Sequence, residues 1–234
     1  MSLIEFKNVS HKDILHNITG SFKENKITTL VGPSGAGKTT CLKHINSLLS
    51  PSQGNIYFKG QDIEQINKKE LRKEIGMAFQ SSPMIEGTVY DNLNLPKSIF
   101  NEKLDTAIAK DLLACMDLSH IDLNQKVKVL SGGERSRLSI ARTLVNEPKV
   151  LLLDEITSSV EYRMVREIER LICQLQKNVG LTAIWITHDL EQARRVSDDM
   201  WFLKDGHLLE FGEASLINQS DNTYIQSFVR GEYE

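Results

Sequence analysis

The chain has 234 residues, enough for one large domain or a core with an inserted subdomain that buries its apolar surface without disulfide or metal staples. Lys and Arg number 28 against 31 Asp and Glu, and the net charge of -3 offers no basic field for gripping nucleic acid. Three scattered cysteines (Cys41, Cys115, Cys173) without a C-x-x-C pair argue against a disulfide framework or a zinc site and fit a reducing compartment, and no apolar run approaches the roughly 20 residues that span a bilayer.

Leu3 to Val9 and Ile14 to Phe22 read as two strands of an antiparallel hairpin. Ile27 to Val31 is a β-branched strand leading into Gly32-Pro33-Ser34-Gly35-Ala36-Gly37-Lys38-Thr39, which fits G-x-x-x-x-G-K-[ST], and Thr40 to Ile45 continues with helical spacing. Gly54 to Gly60 is a short strand bracketed by glycines, Asp62 to Lys73 a charged segment, and Ile75 to Phe79 another strand that breaks at Gln80-Ser81-Ser82-Pro83. From Gln80 to Pro148 the signals are helical, with stripes at Leu104, Ile108, Leu112 and Cys115 and at Leu138, Ala141 and Val145. Val150 to Leu153 is a continuous apolar run ending in Asp154-Glu155, as expected of a central parallel strand. Glu161 to Val179 carries a helical stripe at Val165, Ile168, Ile172 and Leu175, and Leu181 to Thr187 is a buried strand ending at His188. Lys204-Asp205-Gly206 turns a hairpin between Met200 to Leu203 and His207 to Phe211, and Glu213 to Glu234 predicts a terminal helix or two around Leu216, Ile217, Tyr224, Ile225 and Phe228. The order implies an α/β core interrupted by a helical insertion, with ligands at the carboxyl ends of parallel strands.

The glycine-rich loop would curl so that its N–H groups face phosphate oxygens, with Lys38 reaching the β and γ phosphates and the Thr39 hydroxyl on Mg²⁺. Asp154 is placed to hold the same metal. Glu155 beside it would face the γ-phosphate as general base, although two acids after an apolar run also occur at an ordinary strand end. Leu130-Ser131-Gly132-Gly133-Glu134 opens a helix with a serine and two glycines, a second anion-binding N-terminus, although alone it is an unremarkable cap.

Taken together these stretches resemble the ATP-binding cassette (ABC) family of ATPases over essentially the whole chain. The resemblance implies a P-loop NTPase core with a RecA-like, mostly parallel sheet (1–79 and 148–234), an N-terminal antiparallel β subdomain and an inserted α-helical subdomain (80–147), together one cassette over 1–234. It implies ATP and Mg²⁺ as ligands, Gly32 to Thr40 as the Walker A motif, Gln80 as a metal- and water-facing glutamine that reports to a partner, Ser131 to Glu134 as the signature, Asp154 as the Walker B acid, Glu155 as the catalytic carboxylate and His188 as a γ-phosphate switch. It also implies a head-to-tail homodimer in which each ATP lies between one chain's P-loop and the other's signature.

Four positions depart from the family pattern: Glu134 stands for the usual Gln, Ile156 for Pro, and Ser158-Ser159-Val160-Glu161 for a loop normally ending in Ala-Leu-Asp. The fourth is the missing adenine-stacking aromatic after the first strand, where Val9 to Ile14 offers only His11. With one cassette and no spanning segment, the chain looks like the separate ATPase subunit of a transporter, cytoplasmic and peripheral on the inner face of the membrane, working on a permease. Thr88 to Leu93 and Leu153 to Ser158 resemble the ATPases of Fet-type iron export and metal tolerance, and more loosely those of phosphate import. A soluble cassette ATPase of DNA repair or translation is the alternative, disfavoured by the absence of a second cassette, zinc module or coiled coil.

Overall fold

The computed structural model describes residues 1–81, 83–158 and 160–232, with backbone alone at 216–218. Ser159, the side chains of Leu216 and Ile217, and the terminal Tyr233 and Glu234 lie outside the described residues. The strands are β1 (Ser2–His11), β2 (Leu15–Lys23), β3 (Ile27–Val31), β4 (Gln53–Phe58), β5 (Gln61–Asp62), β6 (Ile75–Ala78), β7 (Val150–Asp154), β8 (Thr182–Ile186), β9 (Asp199–Lys204) and β10 (His207–Glu213). The helices are α1 (Lys38–Ile45), α2 (Lys68–Glu74), α3 (Val89–Ser98), α4 (Thr106–Cys115), α5 (Gly132–Leu144), α6 (Tyr162–Val179), α7 (Leu190–Val196) and α8 (Thr223–Arg230).

Two sheets result. The larger has the order β10-β9-β3-β8-β7-β6, parallel from β9 to β6, with β10 antiparallel at the edge. The smaller, β2-β1-β4-β5, is wholly antiparallel.

Strands β7 and β8 are buried at every position. Their side chains alternate between two cores, as the pleat requires. Leu151, Leu153, Ala183 and Trp185 join the helices α3 to α6 on one side, while Val150, Leu152, Ile184 and Ile186 join α1 and the antiparallel sheet on the other. In that second core Trp201 stacks on Phe22 at 4.1 Å between ring centroids and meets Phe6 edge-on, fastening the antiparallel sheet to β9. Strands covered on both faces have only their ends available for polar chemistry, which places the polar residues after β3, β6, β7 and β8 at one rim of the sheet.

The helical stripe expected at Leu104, Ile108, Leu112 and Cys115 is displaced. Asp105 caps α4, so Leu104 precedes the helix, and the inward residues are Ala109 and Leu113 while Ile108 and Cys115 are exposed. Ala109 and Leu113 join the core that Leu138, Ile140 and Ala141 of α5 also enter. On α5, Leu138 and Ala141 are fully buried and Val145 nearly so.

Leu152 has no exposed surface and lies between β6 and β8. Its truncation to alanine is expected to cost about 2–5 kcal/mol, read as a lower urea midpoint at an unchanged slope.

Candidate functional site

The P-loop is built by backbone geometry that only glycine tolerates. Gly32 sits at φ 139°, and a Cβ there would lie 1.9 Å from the Leu203 carbonyl oxygen, so β3 can turn under β9 only without a side chain. Gly37 (φ 93°) starts α1 in the left-handed region, with the Ile14 carbonyl oxygen and the Leu15 side chain against it. The loop then wraps the Lys38 ammonium, whose Nζ donates to the carbonyl oxygens of Gly32 (2.8 Å) and Pro33 (2.7 Å). Lys38 is buried, which pushes its pKa down against the opposing pull of Glu155 and Asp154.

Thr39 Oγ1 donates to Asp154 Oδ1 at 2.9 Å, joining the start of α1 to the end of β7. Burial raises the Asp154 pKa more than the Thr39 hydrogen bond lowers it, and neighbouring Glu155 raises it further. Glu155 has a left-handed backbone (φ 51°), uncommon for a residue with a Cβ, and its N–H donates to the Ile186 oxygen of β8. This conformation turns its carboxylate back across the strand ends. Oε1 accepts from His188 Nε2 at 2.5 Å and Oε2 from Gln80 Nε2 at 3.3 Å, while Gln80 also donates to Ser158 Oγ at 3.2 Å.

Lys38, Thr39, His188, Asp154, Glu155 and Gln80 therefore come from the ends of four adjacent strands, β3, β8, β7 and β6. A cleft of about 380 Å³ opens there, lined by Ile14, the stretch from Ser34 to Thr40, Glu155 and His188. Ser131 to Glu134 is not part of that lining. It stands apart as the start of α5, in a reciprocal cap: Ser131 Oγ accepts from the Glu134 N–H at 3.2 Å, and Glu134 Oε2 accepts from the Ser131 N–H at 2.7 Å. Cβ atoms added at Gly132 or Gly133 would meet nothing within 4 Å.

His11 is turned inward. Its ring meets His44 edge-on at 4.7 Å, its Nδ1 lies 3.1 Å from the Ser50 oxygen, and it is only 7% exposed, so it presents no face to a base. The residue of that turn that does line the cleft is Ile14, which the sequence reading placed at a strand start.

Also unforeseen is a buried carboxylate, Glu169 of α6. It accepts from Arg166 (2.9 Å), Arg195 (2.9 Å) and Gln192 (3.2 Å), and Gln192 Oε1 accepts from Thr157 Oγ1 at 3.1 Å. The network ties the loop after Glu155 to α7, which follows His188. One signal for it was available, since Glu169 is an acid on the apolar side of α6 beside Ile168 and Ile172.

The burial that raises the Asp154 pKa sets a stability cost. An acid whose folded-state pKa lies above its unfolded value favours folding when protonated, and that contribution is lost as pH rises through the folded value. Asp154→Asn keeps an acceptor for Thr39 without the charge, so its melting temperature at pH 7 is expected to exceed that of the parent. The gain should shrink as pH falls through the raised Asp154 pKa, below which Asp154 is itself protonated; an equal melting temperature at pH 7 would contradict the burial argument.

A family model described as ABC transporter matches residues 15–158. Among curated proteins, the chain is 37% identical to the ABC transporter ATP-binding protein YjkB of Bacillus subtilis, over 94% of this chain and 87% of that one. It is 36% identical to the phosphate import ATP-binding protein PstB of Thermotoga maritima, over 98% of each, and 35% identical to FetA of Escherichia coli, named as an iron export ATP-binding protein, over 81% of this chain and 86% of that one. A bacterial ABC transporter cassette solved as a dimer superposes with a TM-score of 0.79 at 29% identity, over 90% of this chain and 98% of that one. Matched over more than half its length by the family model, and spanning relatives nearly end to end, the chain belongs to the ABC transporter family as one of its ATP-binding ATPase subunits.

Proposed function

We propose that the chain hydrolyses ATP between two copies of itself and thereby drives a separate membrane permease. The observation that carries this reading is the separation of two phosphate-type sites. The Lys38 cleft and the Ser131 helix start stand apart in one chain, so the second serves a nucleotide held by another copy. The dimeric form of the neighbouring cassette supports the same arrangement.

In the cleft, the Gly35 to Thr40 backbone and the Lys38 ammonium hold the phosphate chain, with Lys38 exchanging its loop carbonyls for phosphate oxygens. Glu155 accepts the proton of the attacking water. Its carboxylate is aimed by His188 and Gln80, and His188 lies close enough to the same oxygens to stabilise charge developing on the γ-phosphate. Gln80, bonded to both Glu155 and Ser158, links this base to the helical half of the chain. Magnesium, when bound, supplies neutralisation of phosphate charge. Thr39 and Asp154 fit it, since they present two oxygen donors 2.9 Å apart, a partial shell that suits a cation completed by water and phosphate. The Gln80 side-chain oxygen is the third protein donor we assign to it.

No helix among the described residues is long and apolar enough to cross a membrane, so a membrane role runs through the permease, and we place the subunit at the cytoplasmic face. For cargo we favour an inorganic ion, iron or a related metal first, on the FetA likeness and the stretches from Thr88 to Leu93 and Leu153 to Ser158. The PstB likeness supports phosphate as the second reading.

Glu155→Gln should slow hydrolysis about 10²–10⁴-fold while sedimenting as a dimer with MgATP, and adding Lys38→Ala should abolish both nucleotide binding and dimer. A monomer at saturating MgATP would sink the two-copy reading. Isolation from membranes by a tag on this chain is expected to bring down a polytopic membrane protein whose co-reconstitution raises ATPase activity; recovery of ribosomal or DNA-repair proteins instead would overturn the transport reading.

A further inference from the structure

Helix α5 begins with two residues that weaken it. Each glycine in a helix costs about 1 kcal/mol relative to alanine, yet the space around Gly132 and Gly133 is open within the protomer. Among the described residues nothing packs against them, which leaves this helix start clear for a ligand held by another copy. At the start of a helix their N–H groups have no intrahelical acceptor and point outward.

Next to this opening lies a negative charge. Glu134 stays ionised, its pKa lowered first by the backbone N–H of Ser131 and then by His120. A carboxylate in a helix's first turn satisfies the cap, but it competes with an external anion for the same positive end. His120 answers that conflict, donating from Nε2 to Glu134 Oε1 at 3.1 Å while Oε2 takes the Ser131 N–H. The loop that presents it is fixed to α5 from below. Leu118 and Ile121 are buried on either side, the Leu118 N–H donates to the Leu113 oxygen at 2.8 Å, and Arg137, one turn along α5, donates to the oxygens of Met116 (3.0 Å) and Asp117 (3.1 Å). The imidazole itself is mostly exposed, and its Nε2 edge is held by Glu134.

We propose that His120 is a positioning residue of the signature helix. By donating to Oε1 it holds the Glu134 carboxylate in the Ser131 cap, so that the triphosphate of a second copy reaches the Ser131 hydroxyl and the Gly132 and Gly133 N–H groups. The inference rests on the two-copy reading above. It also accounts for an acid at the signature's closing position, where the family more often has an amide: the acid has a hydrogen-bond donor for its second oxygen, supplied 14 residues upstream.

The test is a double-mutant cycle in the Glu155→Gln chain, reading the MgATP-dependent dimer by analytical ultracentrifugation. His120→Ala is expected to weaken the dimer about fivefold, the size of one charge interaction at a helix end, with an unchanged melting temperature of the nucleotide-free protein. With Glu134→Gln also present, His120→Ala should produce no measurable change. Equal losses in both backgrounds would assign His120 a merely structural role, and no loss in either would remove its role altogether; either result overturns the inference while leaving the two-copy reading intact. Failure of the Glu155→Gln parent to dimerise removes the reading beneath it as well.

Discussion

The site depends on four neighbouring parallel strands that carry no charged side chain before their last residue. β7 and β8 are enclosed by core on both faces, and β3 is likewise buried throughout. Charged residues therefore follow the strand ends, and because the strands run parallel all of those ends share one edge. Lys38, Gln80, Asp154, Glu155 and His188 lie far apart in sequence and meet for that reason. The hydrogen bond from Thr39 to Asp154 and the backbone bond from Glu155 to Ile186 fix the spacing between the strand ends, so the arrangement is rigid before any ligand enters.

Such a rim collects charges that burial disfavours. Lys38 and Asp154 have pKa values displaced toward their neutral forms by burial. Glu155 and Asp154 oppose that shift at Lys38, whereas at Asp154 Glu155 adds to it and the Thr39 hydrogen bond, Lys43 and Lys38 oppose it. Glu155 adds a left-handed backbone to the local cost. The two apolar cores compensate, with large fully buried side chains on both sides of the same strands. The buried hub at Glu169 extends this order outward. By joining Thr157 to α7 through Gln192, it makes the segment after Glu155 and the segment after His188 parts of one hydrogen-bonded unit.

Much of this was legible from the sequence because the features concerned are local. A loop that must curl around phosphate needs glycine at fixed intervals, and a strand covered on both sides is an unbroken apolar run, so β3 with its loop and β7 with its acids could be placed at once. The β1–β2 and β9–β10 hairpins were also legible, from alternation and the Asp205-Gly206 turn, whereas the pairing of β4 and β5 beside β1 was not. What could not be read depended on distant partners. Ile108 and Cys115 satisfy helical spacing as well as Ala109 and Leu113 do, and only the approach of α5 selects between them. His11 looked available to a base until His44 and Ser50, from other elements, enclosed it. His120 carried no motif, and its meeting with Glu134 is set by how one loop is fastened to α5.

The open space around Gly132 and Gly133 has a consequence for how such a chain evolves. Considered as a lone molecule, it would be firmer with alanine at both positions, since nothing nearby objects to a methyl group. A laboratory selection for heat resistance of the purified protomer would favour these substitutions and, on the two-copy reading proposed above, would be blind to the nucleotide approach they obstruct. Only selection on the assembled machine sees the clearance as an asset. Residues 132 and 133 are thus where durability of the part and fitness of the whole pull in opposite directions.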